Sequence, residues 1–415
     1  MSNIEYVKVK SRSDIKNKKI KIKFLEKDFL EYVDQIIEKS KNSRVLVVLN
    51  TVRRAQELYL KIIKKVSERD LCLDVCIFHS QFISFQKDAI EDEWITKKYG
   101  KNSNEKNCIL IGSQKIEESL DIDGCCLFTD LSPIDKLIQR MGRIWRFIWD
   151  LRQLKEPEVF IFIPGKIGGK MWKKNIKEHK WEGITNIYSQ YSLLKTYYVL
   201  KDRKYIIPSK DTQRLIERTY NRSEEEPKWF KEHYDKWEER NAKEKKEAIK
   251  VLRKGNGILD EKYIDEEDCD DEENDVSAAT RYITRPSFKF AILKNIEKIS
   301  NDNYKLYFFD GAIIDINKED FDEDKNIKKN IIKKKKYISK ILLGNSLSLP
   351  IYCFPKKSDF LSTMKDLYKD NVLEYFFGRN IFAAVIDEDR NFLNINGEDM
   401  GCSYKYLVDI GLCKK

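Results

Sequence analysis

The first 165 residues repeatedly alternate short, wholly apolar runs with longer stretches that carry one apolar face, and this restricts the fold more than any other feature. The spacing predicts strands at Arg44–Asn50, Cys72–His79, Asn107–Ile111, Cys125–Thr129 and Glu158–Ile163. Between and before them it predicts helices at Glu26–Ser40, Val52–Ser67, Phe85–Lys98, Lys115–Leu120 and Ile134–Trp149. A strand written as a continuous Val/Leu/Ile run belongs in a sheet covered on both faces, because an exposed face would demand alternating polar residues. Helices interleaved with such strands give an α/β lobe on a parallel sheet. The Lys-rich first 25 residues are weakly periodic and predict no element.

After Pro164-Gly165 the character changes. Ile184–Leu200 and Asp211–Tyr220 read as packed helices, and Glu224–Arg253 as a long charged one ended by Gly255 and Gly257. The run from Glu261 to Asp275 packs Glu266, Glu267, Asp268, Asp270, Asp271, Glu272 and Glu273 together; such mutual repulsion marks a linker. Residues 277–415 return to β-rich and mixed patterns, with Lys333–Lys336 read as a solvated loop. The expected organisation is a lobe at 1–165, a helical accessory region at 166–255, an acidic linker at 256–278 and a smaller mixed, β-rich C-terminal domain at 279–415.

Composition removes several classes. An apolar fraction of 41%, with 21 Tyr, 21 Phe and 7 Trp, fills ordinary cores, so whole-chain disorder is excluded. The charge balance, 79 − 69 = +10, permits polyanion binding without demanding it. The longest apolar runs fall far short of the ~20 residues of a membrane helix, and the amino end has no signal-type apolar core, so a cytoplasmic protein is expected. Nine scattered Cys without CxxC spacing and three His predict reduced thiols and no metal site.

The chemistry concentrates in SPIDKLIQRMGRIWR, Ser132–Arg146. Read as one helix, it would be capped by Ser132, entered through Pro133 and Asp135, and striped by Leu137, Met141, Ile144, Trp145 and Ile148. Asp135, Gln139, Arg143 and Arg146 would then share another face. Three of the chain's 19 Arg fall within Arg140–Arg146, although a solvated face in this protein, with 60 Lys, would be built from Lys. Gly142 inside a helix would cost about 1 kcal/mol relative to Ala, which predicts a close approach to its backbone. Planar guanidinium groups on one face suit phosphate recognition or transition-state charge. Asn50-Thr51 and Gly112-Ser113-Gln114 each follow a strand end and lead into a helix, offering backbone N–H groups to a strand's phosphates.

The run at Gln139–Arg146 fits QxxGRxxR and resembles motif VI of superfamily 2 helicases. Ile109–Asp123 resembles motif V, Val45–Tyr59 motif IV, and His79–Phe82 stands where that group has motif IVa. The wording SLDID, then TDLSPIDKLIQRMGRIWR, is similar to the CRISPR-associated helicase-nuclease of type I systems, and the likeness extends through Tyr191–Leu200, Ile206–Tyr220 and Ala278–Arg281. Gln81 and the pair Gln86-Lys87 depart from that family's wording. The resemblance implies a RecA-like second lobe, with ATP as nucleotide. Gln139 would position the attacking water or γ-phosphate, with Arg143 and Arg146 as arginine fingers. Asp121, Asp123, Arg140 and Gly142 would complete the nucleotide side, while Asn50, Thr51, Arg53, Ser80, Gly112, Ser113 and Gln114 would hold single-stranded DNA.

No Gly in the sequence opens a GxxxxGK[ST] loop, and neither Asp92-Glu93 nor Asp322-Glu323 follows the apolar strand of a Mg²⁺-holding box. The His-Asp nuclease expected at the family's amino end is absent too. The sequence therefore reads as the second half of a motor whose first lobe, with its Mg²⁺ and nuclease, is either a partner chain or lost through an interrupted gene, and whose further partner is a CRISPR surveillance complex. The alternatives are a non-catalytic module that binds nucleic acid or a complex, and an RNA helicase lobe.

Overall fold

The computed structural model describes residues 18–117, 121–147, 155–163, 187–221, 226, 230–239, 241–243, 246, 287–300, 302–320, 328–350, 353–354, 364–369, 372–377 and 381–415. They divide into two compact units, one of residues 1–80 and 87–233, the other of residues 81–86 and 234–415. The described residues of the helical region up to His233 thus group with the first lobe, and those from Tyr234 onward with the second unit. The acidic run, the Ala278–Arg281 segment, Leu120 and Ile148 lie outside the described residues.

In the first unit β1 (Ile20–Leu25), β2 (Arg44–Val48), β3 (Asp74–Phe78), β4 (Cys108–Gly112), β5 (Cys126–Asp130), β6 (Glu158–Phe162) and β7 (Tyr205–Ile206) form one sheet in the order β3-β4-β2-β5-β6-β1-β7. All pairings are parallel except β1 with β7. Every residue of β2, β4, β5 and β6 is buried, as the unbroken apolar runs demand. Helices α1 (Val33–Ser40), α2 (Val52–Glu68), α3 (Ser84–Ile90, whose first three residues belong to the second unit) and α4 (Ile134–Met141) alternate with the strands. Residues Glu91–Lys98 continue from α3 with π-type turns. Helix α5 (Gln190–Leu200) starts at Ser189, whose hydroxyl accepts the Ser192 N–H, and buries residues around its whole circumference. Helix α6 (Pro208–Tyr220) opens on proline, whose missing N–H costs nothing in a first turn.

Three sequence expectations are corrected. The Lys-rich start contributes a strand, β1, because Ile20 and Ile22 are buried between lysines that reach outward. The predicted Ile134–Trp149 helix stops at Met141. Its cap residue is Pro133, no side chain caps it, and Gly142 ends it. Beyond it Ile144 bridges Gly124, and Trp145 takes a φ of 49°. Gly142 therefore terminates a helix instead of interrupting one. Lys333–Lys336 belongs to a helix, described below, and not to a loop.

Glu158 ties β6 to its neighbours through Lys23, at 3.1 Å, and Lys39. Burial raises the Glu158 pKa, but hydrogen bonds from the two lysines outweigh it and leave the value lowered. Its stabilisation is complete above the unfolded-state pKa and disappears as pH falls through the lower folded-state value. Glu158→Gln should therefore cost about 1 kcal/mol at neutral pH. Urea unfolding across that acid window should show the deficit closing; a pH-independent deficit would refute the linkage.

The second unit has its own sheet. The long strand β8 (Ser287–Ser300) pairs antiparallel with β9 (Asn303–Phe308) and β11 (Ser346–Pro350) and parallel with β12 (Phe382–Ile386). Outer strands are β10 (Ile313–Asn317) on β9 and β13 (Phe392–Leu393) on β12, and β14 (Tyr404–Leu407) with β15 (Gly411–Lys414) forms a hairpin. Helix α7 (Lys328–Gly344) lays Ile338 and Leu342 into the core with Phe290, Leu306 and Tyr368. Residues 81–86 are part of this unit. Ile83 is in its core, the Leu412 N–H donates to the Gln81 carbonyl at 3.0 Å, and the Ile83 N–H donates to the Tyr406 hydroxyl at 3.1 Å. Ser84 Oγ donates to the Ser346 carbonyl at 3.2 Å, and Gln86 meets Tyr406 and Val408.

Candidate functional site

In a parallel α/β sheet, ligand groups gather outside the carboxyl ends of the strands. Asn50-Thr51 follows β2, Gly112-Ser113-Gln114 completes and follows β4, and Asp130 ends β5. The fold thus brings the motif residues of three separated stretches to the same end of the sheet.

Beneath that edge is a buried polar network. Asp130 binds Arg54 by two bonds, Nε to Oδ2 at 3.0 Å and Nη2 to Oδ1 at 2.7 Å, and accepts the Asn50 N–H at 2.9 Å. Arg140 is fully buried on α4. It donates to Glu117 Oε1 at 2.7 Å, Thr129 Oγ1 at 2.8 Å, the Asp130 carbonyl at 3.2 Å and Asn50 Oδ1 at 2.8 Å. Asn50 Nδ2 donates to the Leu131 carbonyl at 2.8 Å, so both ends of its carboxamide are engaged within the fold. A buried charge is tolerated when paired and hydrogen-bonded in this way. Arg140 and Asn50 therefore lock β2, β5 and α4 together, and neither turns a side chain to solvent.

The remaining strand-side residues are distributed unevenly. Thr51 is half-buried and caps α2 by accepting the Arg54 N–H at 3.2 Å. Arg53 is exposed and paired with Glu57 at 3.0 Å, and Ser80 is exposed just beyond β3. Gly112 admits no side chain: a Cβ there would stand 2.3 Å from Ile116 Cδ1 and 2.6 Å from the Phe78 carbonyl oxygen. Ser113 is buried, and Gln114 donates to the Tyr188 hydroxyl at 2.9 Å.

Arg143 and Arg146 lie beyond the end of the helix. Residues 142–147 are pinned as an irregular segment: the Gly124 N–H donates to the Arg143 carbonyl at 2.9 Å, and the Trp145 N–H to the Gly124 carbonyl at 3.0 Å. Lys18 Nζ reaches the Ile144 carbonyl at 2.6 Å. Asp123 is buried against Arg44 at 3.8 Å and accepts the Arg146 N–H at 2.9 Å and the Phe147 N–H at 3.4 Å. It shapes the backbone that carries Arg146. Asp121 is exposed and pairs with the Arg146 guanidinium at 2.7 Å, the arginine side chain being 37% exposed. Arg143 is half-buried and donates Nη2 to the Glu117 carbonyl at 2.8 Å. Burial lowers its pKa, the Arg146 charge lowers it further, and Asp121 and Glu117 oppose both. Gln139 is exposed on the last turn of α4, beside the exposed Gly142.

Reading the sequence missed Arg54, Asp130, Glu117 and Tyr188 as the partners that order this edge. Only Asp130 had a visible signal, a buried acid closing the strand Cys126–Asp130. Among the described residues no helix is long and apolar enough to cross a membrane.

Comparison with known proteins agrees with this geometry. Residues 41–148 match the family described as CRISPR-associated nuclease/helicase Cas3, C-terminal. A 175-residue stretch is 31% identical to the CRISPR-associated nuclease/helicase Cas3 of Streptococcus thermophilus, covering 42% of this chain and 17% of that protein. The crystal structure of T. fusca Cas3-AMPPNP shares the fold at a TM-score of 0.64 and 16% identity, over 95% of this chain and 42% of that one. A chain of the CRISPR RNA-guided surveillance complex, pre-nicking, aligns at a TM-score of 0.55 and 16% identity, over 96% of this chain and 44% of its own length. The chain thus spans less than half the length of each of these relatives. Motifs, sheet and likeness converge: residues 41–148 are similar to the C-terminal part of CRISPR-associated nuclease/helicase Cas3.

Proposed function

We propose that the first unit is the second motor lobe of an ATP-dependent single-stranded-DNA translocase in CRISPR defence, acting on a nucleotide held by another lobe. The observation that supports it best is the environment of Arg143. This side chain is half-buried on the irregular segment that also carries Arg146, where burial and the Arg146 charge lower its pKa against Asp121 and Glu117, so an anion arriving there would meet two cations. Two guanidinium groups and the exposed Gln139 carboxamide are chemistry that fits a polyphosphate. When bound, ATP would supply the phosphoryl group transferred, with Mg²⁺ held by the other lobe. On this chain Arg143 and Arg146 would neutralise developing charge, and Gln139 would orient the attacking water. Arg146 would exchange its bond to Asp121 for one to the nucleotide. Asp123, Arg140 and Glu117 would act through position, fixing the segment that carries the fingers.

On the strand side Thr51, Arg53, Ser80 and the N–H groups around Ser113 and Gln114 would hold DNA phosphates without reading bases. The buried Asn50 and Gly112 would shape that surface from below. The likeness to a surveillance-complex component supports a CRISPR complex as the partner, and a cytoplasmic place of action follows from that role. The test mixes this chain with a polypeptide carrying a GxxxxGK[ST] lobe of a Cas3 relative and follows phosphate release with and without single-stranded DNA. Strand-stimulated turnover above the summed backgrounds is expected; turnover no greater than that sum would defeat the proposal.

A further inference from the structure

Helix α7 is packed on one side only. Ile338 and Leu342 face the core, while Ile332, Lys333, Lys336, Tyr337, Ser339, Lys340 and Leu343 are exposed. Its 17 residues include seven Lys and no acid, a concentration found in no other described helix. At 100° per residue Lys333, Lys336 and Lys340 fall within one narrow arc, forming a crest along the outer face. Successive rises of about 4.5 and 6 Å allow each flexible side chain to meet a separate phosphate. Tyr337 flanks this crest and is 62% exposed. Nearby, Lys335 lies 4.9 Å from the centre of the Tyr375 ring, which is also exposed.

A structural role does not require this composition. A merely solvated face would mix Glu with Lys, because like charges at i,i+3 and i,i+4 destabilise a helix. Exposed aromatics add nothing to solubility. Among the described side chains of α7 the exposed aliphatics Ile332 and Leu343 are eleven residues and about 16 Å apart with lysines between them, which disfavours a membrane or a partner helix as the occupant. Positive charge in a row beside an open ring is the arrangement that binds phosphodiester backbone and stacks bases.

We propose that the outer face of α7 binds single-stranded nucleic acid, with Lys333, Lys336 and Lys340 neutralising phosphates and Tyr337 stacking on a base. The site belongs to the second unit and uses none of the motif residues, so it operates without nucleotide and does not depend on the motor reading. The test uses the full chain without ATP and measures affinity for oligothymidine DNA and oligouridine RNA as a function of salt. Replacing the three lysines by Gln, which has similar helix propensity, should weaken binding and reduce the log–log salt slope by about 2. Tyr337→Ala should weaken binding about 5- to 150-fold and leave the slope unchanged. Preference for one oligomer identifies the strand. Unchanged affinity and slope in the triple-Gln variant, with its circular dichroism and thermal midpoint intact, would overturn the proposal. So would loss of binding only to phosphatidylserine vesicles or to an acidic helical peptide.

Discussion

Exchanging Arg143 and Arg146 together for Ala should reduce strand-stimulated ATP hydrolysis by the two-lobe composite by about 10³–10⁵-fold, the usual worth of an arginine finger. The effect should fall on turnover at saturating nucleotide, because charge that develops during phosphoryl transfer is what guanidinium groups stabilise. Strand binding measured without nucleotide should survive, as neither residue is at the β2 or β4 ends. Lysine replacements should recover little, since a point charge cannot reproduce the planar fork. Asp121→Asn supplies a further discriminator. It frees the Arg146 guanidinium from its 2.7 Å partner, so it should leave hydrolysis near the parent level or raise it. Full activity in the double-Ala composite would remove the arginines from the chemistry and leave Asp123 and Gly124 holding a segment of purely architectural value.

The second large effect is on stability. Asp130→Ala would leave the Arg54 guanidinium buried without its two-bond partner and strip the acceptor from the Asn50 N–H, costing about 3–5 kcal/mol. Arg54→Met together with Asp130→Leu should recover most of that loss, because a buried ion pair replaced by packed apolar groups is often near neutral. The loss should appear as a lower urea midpoint with an unaltered slope. If the double variant is no more stable than Asp130→Ala, Arg54 contributes through its contact with the Phe29 ring, 3.8 Å away, instead of through charge.

The sheet was legible because burial on both faces writes itself into composition: Val45–Leu49 and Ile109–Ile111 admit few alternatives. Helix ends were less so. Gly142 reads as an interior residue when the apolar stripe is followed through Trp145. In the fold Ile144 and Trp145 do become buried or half-buried, but by pairing with Gly124 and Cys125 outside any helix. Periodicity cannot distinguish those two ways of covering an apolar side chain. Arg140 shows a related limit. Three arginines in one short run suggested one shared purpose, yet Arg140, on α4, turns inward to Glu117 and Asn50 while Arg143 and Arg146, beyond the helix end, are only part-buried. The β1 strand was hidden because its lysines mask Ile20 and Ile22, and the partners of Glu117 are distant in sequence, so no local pattern announces them.

Membership of residues 81–86 in the second unit has a bearing on synthesis. A ribosome releases Ile83 long before β8, β14 and β15 exist to cover it, so the nascent chain carries Ile83 and Phe85 without their core partners through most of translation. Such a stretch is a natural target for a chaperone during that interval. For the same reason a fragment beginning at residue 234 would be born with an open socket where Ile83 belongs, and cutting the gene at that point would yield two incomplete pieces.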